Sequence, residues 1–277
     1  MTTHIKGDPL GRSYTPLPVA QGEGWTVRLG RWQDSPPDQV DHVISDPPFT
    51  DHVSKNAKQR LGLAFRSKAD RLRKQAADPD LEVYGCEGLS FGGIAPHEIG
   101  PGIVAHVRRW TVLFCAIEQV GQFQQACPDE YLRGGWWRKT NASPQFTGDR
   151  PASPGEAIVF LHPKGKKKWN RGGHKAEWSG PSSHGTFNAW DERVHETQKP
   201  LWLMLELIEA FTDPGDLVWD PYMGSATTGV ACLMRGRRFL GHEMQEGYYQ
   251  ASIERLQAAE QGMTLGDARA GQLGFFQ

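Results

Sequence analysis

The chain has 277 residues, a formal charge of −1 and an apolar fraction of 38% that includes 10 tryptophans, enough for one large α/β unit with a substantial core. Met1 to Gly7 lacks the apolar run of an export signal, and no apolar run reaches 18 residues, so neither export nor a membrane span is indicated. Cys86, Cys115, Cys127 and Cys232 show no C-x-x-C spacing, which speaks against a disulfide framework or a metal site and for reduced thiols in a cytoplasmic protein.

Charge is unevenly spread. Residues 55–75 carry +7 and residues 164–178 carry +5, leaving −13 on the remainder. Such segments in an otherwise acidic protein are the expected footprint of a nucleic-acid channel, with two solvated basic loops as the alternative.

In chain order, residues 1–24 read as an irregular N-terminal arm. Residues 25–29 alternate like a half-buried strand and are followed by Gly30-Arg31-Trp32. A second strand, residues 40–45, runs into Asp46-Pro47-Pro48-Phe49. Proline has no N–H and fixes φ, so the prolines end the strand abruptly. Asp46, the Pro47 carbonyl and the Phe49 ring are left at its lip, two fixed acceptors beside an aromatic face. That set suits a planar ligand with an amino group, such as adenine or cytosine.

The basic stretch after Phe49, with Lys55, Lys58, Arg60 and Arg66, reads as a loop placed to meet phosphates. A helix is expected within 94–110, then a buried strand at 110–116. Another strand, 131–137, is expected to be interrupted at Gly134-Gly135, and a polar loop 138–144 leads to a strand at 156–161. Residues 164–195 have little apolar periodicity but interleave Lys166, Lys167, Lys168, Trp169, Arg171, His174 and Lys175, cations and rings able to engage phosphates and stack on bases.

Leu201, Met204, Leu205, Ile208 and Phe211 recur at helical spacing after Pro200 and read as core. Residues 217–220 form a buried strand that opens through Pro221-Tyr222-Met223-Gly224-Ser225-Ala226 into a helix from Thr227, ended by Gly236. Small residues at such a turn let a ligand approach the backbone. The next strand ends at Glu243, where nucleotide-binding α/β folds place an acid on ribose hydroxyls. The dehydrogenase fingerprint G-x-G-x-x-G is absent.

Taken together, Asp46-Pro47-Pro48-Phe49, His195-Glu196-Thr197-Gln198-Lys199-Pro200, the Asp220 to Thr228 turn and Gly241-His242-Glu243 resemble the DNA amino-methyltransferases. The catalytic motif comes first and the cofactor motif last, as in the permuted β group. The resemblance covers about residues 25–260, and Trp137 to Pro144 is similar to the family's W-x-K-x-N-x-x-P region, with Lys139 and Asn141 near the target base.

Two departures stand out. Ala226 replaces a glycine, a change expected to be harmless if φ there is negative. Arg31 replaces an adenine-contacting acid, leaving Trp32 to stack there instead.

The resemblance implies a Rossmann-like S-adenosylmethionine-dependent methyltransferase sheet in the α/β class with a small inserted target-recognition region. The expected division is an arm (1–24), a catalytic half (25–163), the insert (164–195), a cofactor half (196–260) and a tail (261–277). Implied catalytic residues are Asp46, Pro47, Pro48 and Phe49. The implied S-adenosyl-L-methionine contacts are Gly30, Arg31, Trp32, Asp46, Pro47, Thr197, Lys199, Pro200, Asp220, Pro221, Tyr222, Gly224, Ser225, Ala226, Thr227 and Glu243, with no metal required.

The partner is double-stranded DNA with the target base flipped out, in a bacterial cytoplasm. The initial Asp of the motif favours adenine N6 over cytosine N4. A catalytically silent DNA-binding relative and an RNA or protein methyltransferase remain as rivals, and a restriction partner is neither implied nor excluded. Homodimerisation is an expectation from the family. Gln272-Leu273-Gly274-Phe275-Phe276 resembles sliding-clamp-docking peptides, against the alternative of an apolar tail packed on its own domain.

Overall fold

The computed structural model describes residues 17–49, 93–142, 144, 149, 151–182, 194 and 198–271. Its elements are β1 (Val19–Gly22), β2 (Trp25–Leu29), β3 (His42–Ser45), α1 (Pro96–Val104), β4 (Thr111–Cys115), α2 (Val120–Ala126), β5 (Tyr131–Lys139), β6 (Gly155–Leu161), β7 (Glu177–Gly180), α3 (Leu201–Phe211), β8 (Leu217–Asp220), α4 (Thr227–Met234), β9 (Arg238–Glu243), α5 (Glu246–Glu260) and α6 (Leu265–Arg269). Among these residues, the strands form one sheet in the order β1-β2-β9-β8-β3-β4-β6-β5-β7.

The central run β2-β9-β8-β3-β4 is parallel, and β6 pairs antiparallel with β4. Parallel strands are covered on both faces, which is why β3 and β4 read as unbroken buried runs. On one face Leu203, Leu207, Val230 and Leu256 from α3, α4 and α5 pack on Val112, Phe114 and Val218. On the other, Ile99, Ile103 and Phe123 from α1 and α2 meet Val43, Leu113 and Trp219. Neighbours of β8 connect to one side and those of β3 to the other, so the order reverses between these two strands. In open α/β sheets ligands bind outside the carboxyl ends of the strands at such a point.

Several elements differ from expectation. The expected arm holds β1, which pairs antiparallel with β2. The helix within 94–110 is confined to Pro96–Val104. Rather than breaking at Gly134-Gly135, β5 runs on to Lys139, its irregularity lying between Tyr131 and Arg133. Glycine is required there by crowding: a Cβ on Gly135 would lie 2.7 Å from the Ala176 carbonyl oxygen. The stretch read as aperiodic contains β7, too short to show a period. No helix among the described residues is long and apolar enough to cross a membrane. Cys115, Cys127 and Cys232 are buried and free.

Candidate active site

Asp46, Asp220 and Glu243 lie at the carboxyl ends of β3, β8 and β9, along one edge of the sheet. Asp220 is fully buried and its carboxylate is occupied by the protein. Ser45 Oγ donates to Oδ1 at 2.6 Å, the Tyr222 N–H to Oδ1 at 3.1 Å and Thr228 Oγ1 to Oδ2 at 2.7 Å. Burial pushes its pKa up to about 6, against the opposing pull of those donors. Asp220 thus ties β3 to β8 and shapes the turn that follows.

That turn is built on two left-handed residues, Gly224 (φ 51°) and Ala226 (φ 58°). The condition under which Ala226 would be harmless, a negative φ, is not met. As the N-cap of α4 it must swing the chain from the turn into the helix, and its side chain makes no capping bond. From α5, buried Arg255 clamps the turn: its Nη1 donates to the Ser225 carbonyl oxygen, to Ser225 Oγ and to Thr227 Oγ1. Ser225 Oγ also donates to Gln198 Oε1 at 3.2 Å, linking the turn to the segment that carries Lys199 and Pro200.

Glu243 accepts the Gly224 N–H on Oε2 at 3.0 Å and the Gln245 N–H on Oε1 at 2.7 Å. Each oxygen keeps a lone pair for a further donor. Burial raises its pKa to about 7, and the backbone N–H groups pull the other way. The Gly30 N–H donates to the Glu243 carbonyl at 2.7 Å, which brings the end of β2 to the same edge. Neighbouring Arg31 is exposed.

Trp32 is not an open stacking face. Its indole is 5% exposed, edge-on to Trp219, with Nε1 donating to Tyr222 Oη at 3.0 Å. The 3-10 turn at Trp32–Asp34 turns this large ring inward, into the core beside α1.

At Asp46 the two carboxylate oxygens differ. Oδ2 accepts from Lys199, whereas Oδ1 is buried without a hydrogen-bond partner among the described residues. Burial raises the Asp46 pKa, and the Lys199 charge only partly offsets it. Lys199 is 9% exposed; burial disfavours its charge, but Asp46 and Glu156 outweigh burial and raise its pKa. Its Nζ lies 3.2 Å from Glu156 Oε2, and 4.9 Å and 5.9 Å from the ring centroids of Phe114 and Phe49. Lys139 in turn donates to Glu156 Oε1.

Sequence reasoning missed Glu156 and Arg255. Glu156 is the acid opening the apolar run of β6. Arg255 is a cation on a face otherwise made of Tyr248, Ser252 and Leu256, a spacing that marks it as turned inward.

The edge gathers Asp46 to Phe49, Lys199 and Pro200, the Asp220 to Thr227 turn and Glu243. Lys139 and Asn141 sit at the end of β5 beside it, with Asn141 Oδ1 accepting the Ser182 N–H at 2.8 Å. Lys168, Trp169 and Arg171 are not gathered there. The Lys168 carbonyl accepts from Trp110 Nε1 where β4 begins, at the opposite edge. Lys168 pairs with Asp213 at 2.7 Å, Trp169 packs edge-on to Phe211, and Arg171 pairs with Glu206. Lys166, Lys167, His174 and Lys175 are exposed on the same segment. Lys55, Lys58, Arg60, Arg66, Thr197 and the tail from Gln272 to Phe276 lie outside the described residues.

A family model described as DNA methylase, covering its N6 and N4 types, matches residues 130–254. Over this span the chain is similar to the DNA methylase family. The matched span holds Glu156, Lys199, Asp220, Glu243 and Arg255, and β3 delivers Asp46 to it through the pairing with β8.

The chain is 25% identical to the type II methyltransferase M.HinfI of Haemophilus influenzae over 238 residues, covering 80% of the chain and 64% of the relative. It spans between about a third and just under two thirds of the lengths of the curated relatives it matches. Among solved structures, M1.HpyAVI bound to S-adenosylmethionine aligns with a TM-score of 0.52 and 23% identity, covering 79% of this chain and 89% of that one. The cytosine-N4-specific PvuII DNA methyltransferase aligns with a TM-score of 0.57 and 13% identity, covering 92% and 96%. Both likenesses show the fold, a Rossmann-like methyltransferase sheet.

Proposed function

We propose that the protein methylates an exocyclic amino nitrogen of a base in double-stranded DNA, using S-adenosyl-L-methionine, with adenine N6 as the first target. The observation that carries this reading is the unpartnered, buried Oδ1 of Asp46, an acceptor at the end of β3. The match of residues 130–254 to the DNA methylase family model supports it, as does the likeness in fold to the M1.HpyAVI structure solved with that cofactor.

The residues of this edge fit the cofactor. It is cationic and rich in donors, and the edge presents the lone pairs of Glu243 to hydroxyls and a turn with no side chain at Gly224. When bound, the cofactor supplies an electrophilic methyl group. Glu243 would hold the ribose, and the Asp220 to Thr227 turn, with Lys199 and Pro200, would hold the methionine portion.

The target base must leave the duplex, because its amino group is buried in the pair. Phe49 stacks on it, while Asp46 Oδ1 and the Pro47 carbonyl accept its two amino hydrogens. Two acceptors favour a pyramidal nitrogen whose lone pair is freed from the ring and aimed at the methyl group. Lys139, Asn141 and the exposed cations contact the phosphates.

Adenine is preferred over cytosine because the motif begins with Asp, where many cytosine-N4 enzymes carry Ser. Incubation with methyl-labelled cofactor and mixed-sequence DNA, followed by nucleoside analysis, tests the reading. N6-methyladenine is the expected product, N4-methylcytosine would replace the first target by the second, and no incorporation would sink the proposal. Asp46→Ala should abolish incorporation.

A further inference from the structure

We infer that Glu156 is a positioning residue that acts on Asp46 through Lys199, keeping one Asp46 oxygen free for the substrate amino group. The inference rests on the methyltransferase reading and adds to it a residue with no part in the motifs.

Lys139, Glu156, Lys199 and Asp46 form a line of alternating charges, two positive and two negative. Lys199 sits between the carboxylates, bonded to Asp46 Oδ2 and 3.2 Å from Glu156 Oε2. Lys139 holds Glu156 from the far side, its Nζ 4.7 Å from the Trp137 ring centroid. A buried ammonium needs anionic partners, and its position depends on how they share it.

With Asp46 alone, the Lys199 ammonium would be drawn fully onto that carboxylate and compete for both oxygens. Glu156 pulls from the other side. The ammonium therefore meets only Oδ2, and Oδ1 is left without a donor among the described residues. Removing the Glu156 charge would bind Asp46 more tightly to Lys199 and make it a poorer acceptor. A purely structural ion pair would lower stability without singling out turnover.

The test compares the full-length wild type with Glu156→Gln and Glu156→Asp. For each, kcat and KM for cofactor and DNA are measured, along with the Asp46 carboxyl titration by 13C NMR without substrates. Glu156→Gln should lower kcat at least ~10-fold, leave the cofactor KM within ~3-fold, and move the Asp46 titration to lower pH, since a neighbouring negative charge is gone. Glu156→Asp should recover part of kcat.

An unchanged kcat or an unmoved Asp46 titration in Glu156→Gln overturns the inference. Should that variant unfold, Lys139→Met examines the line from its other end. Loss of this cation must move the Asp46 titration upward, and no movement overturns the inference equally. If the wild type transfers no methyl to DNA, the functional reading fails, and the Asp46 titration alone decides the link from Glu156.

Discussion

Ser45 Oγ donates to Asp220 Oδ1 at 2.6 Å, a bond between residues 175 apart that joins the end of β3 to the turn after β8. Both groups are buried, so removing the donor leaves a carboxylate oxygen with one backbone N–H where it had two partners. Ser45→Ala should destabilise the fold by about 1–3 kcal/mol, read by urea denaturation. It should also raise the cofactor KM, because the turn loses part of its anchor.

Ala226 holds a left-handed conformation at φ 58°, ψ 39°. An L side chain there costs roughly 1–2 kcal/mol, and glycine gives back part of the gain through its freer unfolded chain. Ala226→Gly is therefore expected to stabilise the protein by about 0.5–1 kcal/mol in chemical denaturation. Ala226→Val should do the opposite, since a branched side chain worsens the clash.

Glu243 should make cofactor affinity depend on pH. Burial raises its pKa from 4.5 to about 7, so the unliganded carboxyl is largely protonated below neutrality and loses acceptor strength. Calorimetric titration should show affinity weakening as pH falls from 8 to 6. Glu243→Gln should flatten that dependence and weaken binding by ~10- to 100-fold, equivalent to about 1.4–2.8 kcal/mol.

His242 is enclosed as a neutral ring. Its Nδ1 accepts from Trp219 Nε1 at 3.1 Å, which leaves Nε2 to donate to the Ser35 carbonyl at 3.0 Å. A second proton would sit against the Trp219 N–H, and burial lowers the pKa from 6.5 to about 4. The unfolded chain binds that proton more readily. Its contribution, on the order of 3 kcal/mol, is thus full above pH 6.5 and lost as pH falls toward 4. Unfolding free energies of wild type and His242→Gln should converge over that window, while the raised carboxyls Asp220 and Glu243 affect both alike.

The edge was legible where local sequence fixes geometry. Pro47-Pro48 can only end a strand, and the Gly224 to Thr227 turn can only follow one, so Asp46, Asp220 and Glu243 were readable as strand-end residues. Glu156 was not, because it reaches Asp46 only through the antiparallel pairing of β6 with β4. Nor do Lys168 and Arg171 reveal from sequence that they face Asp213 and Glu206, since an ion pair and a solvated cation look alike there. The sign of φ at Ala226 depends on the path from β8 into α4, which an alanine does not announce.

The distance along the chain between β3 and β8 has a consequence during synthesis. β3 leaves the ribosome well before its partner across the order reversal, β8, and before Arg255 on α5. Until then the nascent chain carries Asp46 without the Asp220 to Thr227 turn and without Glu243. The carboxyl-end edge is therefore assembled only after translation has passed α5.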